Sequence, residues 1–92
     1  MKQLQDSLNT AVFTTSYVVN KNSPILFVYH GEDGSWQSHG PEENVDDENI
    51  RLVALGEIIN IDTSVLEIAD MPIGFEAVRN SKDSGWIVKS SN

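Results

Sequence analysis

The 92-residue chain contains no cysteine, so it has no disulfide framework, no thiol nucleophile and no thiolate metal site. No apolar run approaches the roughly 20 residues that a membrane-spanning helix needs, and we expect no contact with a membrane. The first residues are polar after a single lysine, which is not the pattern of a signal peptide. These absences together favour a cytoplasmic location.

Basic residues are scarce. Six lysines and arginines stand against fourteen aspartates and glutamates, which gives a net charge of −8 at pH 7. Such a surface repels a phosphate backbone, so binding to nucleic acid is disfavoured. The electrostatic field of this acidic surface would attract and steer a basic protein partner. The simplest explanation of the negative charge is that it keeps the protein soluble.

The sequence patterns of common enzymes and cofactor sites are missing. There is no G-x-S-x-G elbow, no glycine-rich phosphate loop and no EF-hand order of oxygen ligands. We therefore predict no cofactor, no metal and no enzymatic activity. The alternative is a small metal-dependent or hydrolytic enzyme that uses His30, His39 and the nearby acids. Against it, zinc sites usually need three or four ligands at a tighter spacing such as H-E-x-x-H.

The most informative stretch is PILFVYHGEDGSWQ, from Pro24 to Gln37. Its apolar run, residues 25–29, is typical of a strand at the centre of a sheet, covered on both faces. Residues 31–34 have turn chemistry, and Trp36 begins a return strand. A second tryptophan, Trp86, follows a similar acidic turn, so we expect both rings to pack against one core.

The rest of the chain predicts three further strands and two helices. Residues 12–19 are rich in β-formers and predict an antiparallel hairpin with the central strand. Residues 50–53 are extended, and residues 54–60 and 63–69 are helical, with Ser64 and Glu67 forming a capping box. Residues 73–78 and 86–88 are strands. We expect Arg79, after the first of these, to be a surface charge or to pair with a carboxylate.

These elements predict an α+β fold, with an antiparallel sheet of four to five strands and two short helical segments packed on one face. Residues 1–11 are expected to be a flexible or short docked N-terminus. Residues 12–92 are expected to form a single α+β domain, because the chain is long enough for only one core.

The candidate binding residues are the acids of the 31–34 turn and of the following polar loop, together with one aromatic ring. Carboxylates can contact a basic partner, and aromatic rings dominate interface hot spots. The set is Glu32, Asp33, Trp36, Glu42, Glu43, Asp46, Asp47 and Glu48.

Three stretches, PILFVYHGEDGSWQ, LGEII-x-x-D and D-x-P-x-G-F-x-A-x-R, resemble a family of small bacterial domains of unknown function, grouped with immunity-protein-like domains of polymorphic toxin systems. The resemblance covers roughly residues 12–88, and Ser38 and Thr63 depart from its pattern. It implies no catalytic residues. The matching positions are Pro24, Val28, Tyr29, His30, Gly34, Trp36, Gln37, Leu55, Gly56, Glu57, Ile58, Asp70, Pro72, Gly74, Ala77 and Arg79.

The leading functional hypothesis is a non-enzymatic protein-binding module, immunity-like, that uses its acidic surface against a basic partner. An accessory domain without an identifiable partner is a third possibility beside the enzyme.

Overall fold

The computed structural model describes residues 8–42 and 45–90 of the chain. Its strands are β1 (Ala11–Thr15), β2 (Phe27–His30), β3 (Trp36–His39), β4 (Ile50–Ala54), β5 (Phe75–Val78) and β6 (Ile87–Ser90). Its α-helices are α1 (Ser16–Asn20) and α2 (Leu55–Ile61), and 3-10 helices lie at Asp47–Asn49 and Thr63–Ile68. The six strands form one sheet in the order β4-β1-β3-β2-β5-β6. The predicted α+β class is confirmed.

The first strand is shorter than predicted. Val12 and Thr14 are buried while Ala11 and Phe13 are exposed, as in a strand with one covered face. At Thr15 the side chain accepts a hydrogen bond from the backbone N–H of Val18 at 3.3 Å and so begins α1. The prediction of a strand over residues 16–19 is wrong because this cap redirects β-forming residues into a helix.

The predicted hairpin between the first two strands is also wrong. Strand β1 pairs in parallel with β3, with Val12 opposite Trp36, and β3 lies between β1 and β2. The extended residues 50–53 form β4, which pairs antiparallel with β1 along the edge of the sheet. The sheet therefore has six strands and one parallel pairing, instead of four to five antiparallel strands.

The hairpin of β2 and β3 agrees with the prediction. The strands pair antiparallel, with His30 opposite Trp36 and Phe27 opposite His39. The loop closes through a hydrogen bond from the N–H of Gly34 to the carbonyl of Gly31 at 2.9 Å. Gly34 has φ +88°, a conformation that glycine adopts without steric cost.

The two helical segments after β4 pack on one face of the sheet. The predicted helix 54–60 corresponds to α2, and the predicted helix 63–69 is a 3-10 helix. Its cap is Asp62 instead of Ser64, because the Asp62 carboxylate accepts the N–H of Ser64 at 3.0 Å. Within the described ranges, no helix is long and apolar enough to cross a membrane. The core between helices and sheet comprises Val12, Val18, Ile25, Val28, Trp36, Leu55, Ile58, Ile59, Val65, Ile68, Met71 and Ala77.

The opposite face of the sheet carries none of these core residues. Phe27 and Tyr29 are only half-buried, so the prediction that the central strand is covered on both faces is wrong. Strand pairing places the residues of this side together, since directly paired residues share a face. We call it the open face; its residues are Phe13, Phe27, Tyr29, Gln37, His39, Ile50, Leu52, Glu76, Val78, Ile87 and Lys89.

The expectation for the N-terminus falls largely on residues 1–7, which lie outside the described residues. The part that is described is hydrogen-bonded to α2. The carbonyl of Leu8 accepts from the N–H of Gly56 at 2.9 Å, and that of Thr10 accepts from the N–H of Leu55 at 2.8 Å. Residues 8–10 thus connect the start of β1 to the start of α2.

Candidate functional site

The exposed candidate acids lie at two opposite ends of the sheet. Glu32 and Asp33 are in the β2–β3 turn, at the end where β1 begins and β2 finishes. Asp46, Asp47 and Glu48 precede β4, at the end where β1 finishes, because Ile50 pairs with Thr15. All five are exposed. The structure therefore separates the two acidic segments along the strand direction instead of joining them in one patch.

The turn acids are held in a defined geometry. The Asp33 carboxylate accepts two hydrogen bonds from Ser35, one from the hydroxyl at 2.6 Å and one from the backbone N–H at 3.0 Å. These bonds, the hydroxyl bond first, lower the pKa of Asp33 below its usual value. Asp33 therefore keeps its negative charge at a lower pH than an unsupported aspartate would.

The second acidic segment is a single 3-10 turn. Asp47 and Glu48 occupy its first turn, and the N–H of Asn49 donates to the carbonyl of Asp46 at 2.9 Å. The carbonyl of Glu48 accepts from the Arg51 guanidinium at 2.7 Å. This contact ties the segment to the start of β4, so its carboxylates project from a backbone that the sheet holds in place.

The remaining candidates are not on the exposed surface or are not described. Trp36 is fully buried, at 0% exposure, and so cannot contact a partner surface. Glu42 is half-buried, and its Oε2 accepts a 2.6 Å hydrogen bond from the Ser23 hydroxyl, which fastens the loop to the segment before β2. Glu43 lies outside the described residues.

The two histidines do not share a site. His30 faces the core, where its ring stacks on Trp36 with centroids 4.0 Å apart and its Nδ1 lies 2.8 Å from the carbonyl of Met71. His39 is on the open face, stacked on Phe27 at 4.6 Å. Their positions are three residue steps apart along the hairpin, roughly 10 Å, and the two rings lie on opposite faces of the sheet. Among residues 8–42 and 45–90, no group of three His, Asp or Glu side chains is arranged to hold a metal ion.

Arg79 is buried and belongs to a polar network, so it is not a surface charge. Its guanidinium pairs with Asp62 and donates to the hydroxyl of Ser64 at 2.9 Å. Nε donates to the carbonyl of Ile25 at 2.9 Å, which joins the segment before β2 to the one after β5. The guanidinium carbon lies 4.2 Å from the ring centroid of Trp86, whose indole N–H donates to Ser64 at 3.0 Å. The sequence allowed a carboxylate partner but held no signal for which one.

Burial raises the pKa of the Asp62 carboxyl, but hydrogen bonds from Ser64 and from Arg79 outweigh it and leave the pKa below its usual value of 3.8. Asp62 borders a cavity of about 150 Å³ that Asn22, Ser23, Pro24, Ile25, Ile61 and Lys82 also line. Neither histidine lines this cavity. Because both charges of the pair already bind each other, we interpret this network as structural.

Comparisons with known proteins found no matching family model, no similar curated protein and no similar solved structure.

Proposed function

We propose that this protein is a non-enzymatic, cytoplasmic protein-binding module whose partner is a basic protein. The observation that carries the proposal is the display of Glu32, Asp33, Asp46, Asp47 and Glu48 as exposed carboxylates on a chain of net charge −8. Charges on a surface steer an oppositely charged partner and select it over others. The resemblance to immunity-like bacterial domains extends the proposal, since binding to a basic toxin would neutralise it.

The test is capture from a lysate of the native cell on the immobilised full chain, at about 50 mM and about 500 mM salt. We expect basic proteins to be retained at low salt and released at high salt, because the Debye length falls from roughly 14 Å to 4 Å. If no basic protein is retained at low salt, the proposal is wrong.

A matched pair of variants separates the local acids from the net charge. Asp46→Asn, Asp47→Asn and Glu48→Gln together change the net charge from −8 to −5. Glu57→Gln, Glu67→Gln and Asp83→Asn make the same change at other exposed positions. At roughly 0.5 kcal/mol per rim charge, the first set should weaken binding to a captured partner about tenfold. Equal weakening by both sets would assign the effect to net charge alone.

An immunity role also predicts which gene lies next to the gene for this chain. We expect a toxin gene next to the gene for this chain, and its purified product should bind the chain. A neighbouring toxin whose purified product does not bind would contradict the immunity role and leave the general binding role standing.

A further inference from the structure

The open face has the chemistry of an interface centre. Phe13 and Leu52 are paired across β1 and β4 and are 44% and 62% exposed, and Ile50 is 42% exposed beside them. At the other edge Ile87 is 61% exposed. The half-buried Phe27 and Tyr29 lie between these edges. Apolar side chains thus lie on five of the six strands, while β3 contributes Gln37 and His39 to this face.

The charges on this face are balanced. Among the described strand residues, its charged side chains are Glu76 and Lys89, which are cross-strand partners with Oε2 and Nζ 3.9 Å apart. The stacked rings of Phe27 and His39 also lie on the open face. The face therefore has an apolar centre without an unbalanced charge, which is typical of the buried part of protein interfaces.

Acidic residues border this apolar centre at both ends of the strands. The turn with Glu32 and Asp33 lies at one end, and residues 46–48 lie at the other. Lys82, in the turn between β5 and β6, is at the same end of the sheet as residues 46–48 and lines the cavity beside Asp62. A partner that covers the open face would therefore meet carboxylates at both margins.

The size of the face fits this role. Six strands about 4.8 Å apart span about 24 Å between the outer axes, and four to five residues at about 3.3 Å give about 15 Å of length. The projected area is then roughly 350–400 Å², within the range of functional patches on monomers. A standard interface buries about 800 Å² on each partner, so the two acidic ends are needed to complete it.

We propose that the open face is the docking surface for a basic protein segment, with Phe13 and Leu52 as its principal apolar contacts; this rests on the proposed function. Charge selects the occupant. A second copy of the chain would bring another net charge of −8 and the same acidic ends against this face, which costs electrostatic free energy. A partner with lysines or arginines around an aromatic or aliphatic residue is complementary to both the margins and the centre.

The test uses a displayed library of random peptides of about 12 residues, selected on the immobilised full chain. An extended peptide of that length reaches roughly 40 Å, enough to cross the face and contact both acidic ends. We expect the recovered peptides to combine lysine or arginine with aromatic or aliphatic residues. One recovered sequence is then synthesised, and its Kd is measured for the parent chain and for two variants.

The variants are Leu52→Asp on the open face and Ile61→Asp on α2, where Ile61 is 43% exposed. Both exchange an exposed aliphatic side chain for a carboxylate and make the net charge −9. We expect Leu52→Asp to weaken binding at least tenfold, although its added charge attracts a basic peptide. Ile61→Asp should change the Kd less than twofold. Circular dichroism checks the fold of each variant, and Leu52→Gln replaces Leu52→Asp if the latter is unfolded.

Several outcomes would overturn the assignment. They are recovery of no peptide, recovery of peptides without basic residues, and binding that Leu52→Asp leaves unchanged. A dimer in sedimentation equilibrium that Leu52→Asp abolishes would assign the face to a second copy instead. If salt-sensitive capture of basic proteins persists while Leu52→Asp has no effect, only the docking surface is wrong and the proposed function stands.

Discussion

At the scale of single residues, the pair of Asp62 and Arg79 connects more of the fold than the exposed candidate acids do. Arg79 has 1% of its side chain exposed and Asp62 has 14%. Removing one partner of such a pair leaves a charge that burial penalises. The pair joins the cap of the 63–68 helix to the end of β5, and Trp86 stacks on the guanidinium. The network thus links three segments that are distant in sequence.

We predict that Asp62→Asn lowers the free energy of unfolding by about 1.5–3 kcal/mol at pH 7, since it weakens a charge-assisted hydrogen bond. The folded-state pKa of Asp62 is below its usual 3.8, so its contribution is complete above that pH and is lost as the pH falls through the folded pKa. The difference between the parent chain and Asp62→Asn should therefore shrink between about pH 5 and pH 2.

Urea titrations at several pH values measure this difference. Asp83→Asn is the control, because Asp83 is exposed in the β5–β6 turn, and it should change stability by less than about 0.5 kcal/mol. A difference for Asp62→Asn that stays constant down to pH 2 would show that Asp62 does not stabilise the fold through its charge.

At the scale of elements, the β2–β3 hairpin depends on one backbone conformation. Gly34 has φ +88°, and a Cβ at this position would meet no heavy atom within 4 Å. Replacing Gly34 by a residue with a Cβ would therefore strain the backbone but would cause no steric clash with neighbouring atoms. The same turn holds Asp33, so its geometry also sets where one acidic end of the open face lies.

We predict that Gly34→Ala destabilises the protein by about 1–2 kcal/mol, the usual cost of a left-handed conformation for a residue with a Cβ. Gly85→Ala is the matched control, because its Cβ would also be in open space and its φ is not in the left-handed region. That change should be neutral or stabilising by up to about 1 kcal/mol. Thermal or urea unfolding compares the two, and equal effects would mean that the turn tolerates a Cβ.

At the scale of the whole molecule, the charge of −8 is spread over a body of 30 × 27 × 26 Å. The Debye length is about 30 Å at 10 mM salt, so at low salt every carboxylate interacts with the others across the molecule. At 0.15 M it is about 8 Å, and repulsion is limited to neighbours. Net repulsion opposes the compact state, while the buried pair of Asp62 and Arg79 is screened less.

We predict that raising sodium chloride from 10 mM to 0.15 M increases the free energy of unfolding by about 1 kcal/mol, because it screens this repulsion. Urea titrations at the two salt concentrations measure it, since urea adds no ions. The variant with residues 46–48 neutralised should show a smaller increase. A decrease with salt would mean that attractive pairs, such as Glu76 with Lys89, outweigh the repulsion.

The sequence by itself determined the features that depend on local chemistry. Turn residues and the apolar run 25–29 specified the β2–β3 hairpin, and helical spacing placed the two helical segments after β4 to within a few residues. The α+β class follows from these elements. The exposure of Glu32, Asp33 and residues 46–48 also follows, because short runs of carboxylates are rarely buried without partners.

Tertiary structure alone decided the pairing of strands and the partners of buried charges. β3 lies between β1 and β2, while α1 follows β1 and buries Val18 in the core, and no local pattern specifies a parallel neighbour. The pairing of Arg79 with Asp62 likewise depends on where two distant segments meet. The open face is the third such feature: the apolar pattern of β2 predicts burial on both sides, but helices in the described residues cover only one. Local periodicity records that a residue is apolar, and only the assembled sheet determines whether anything lies against it.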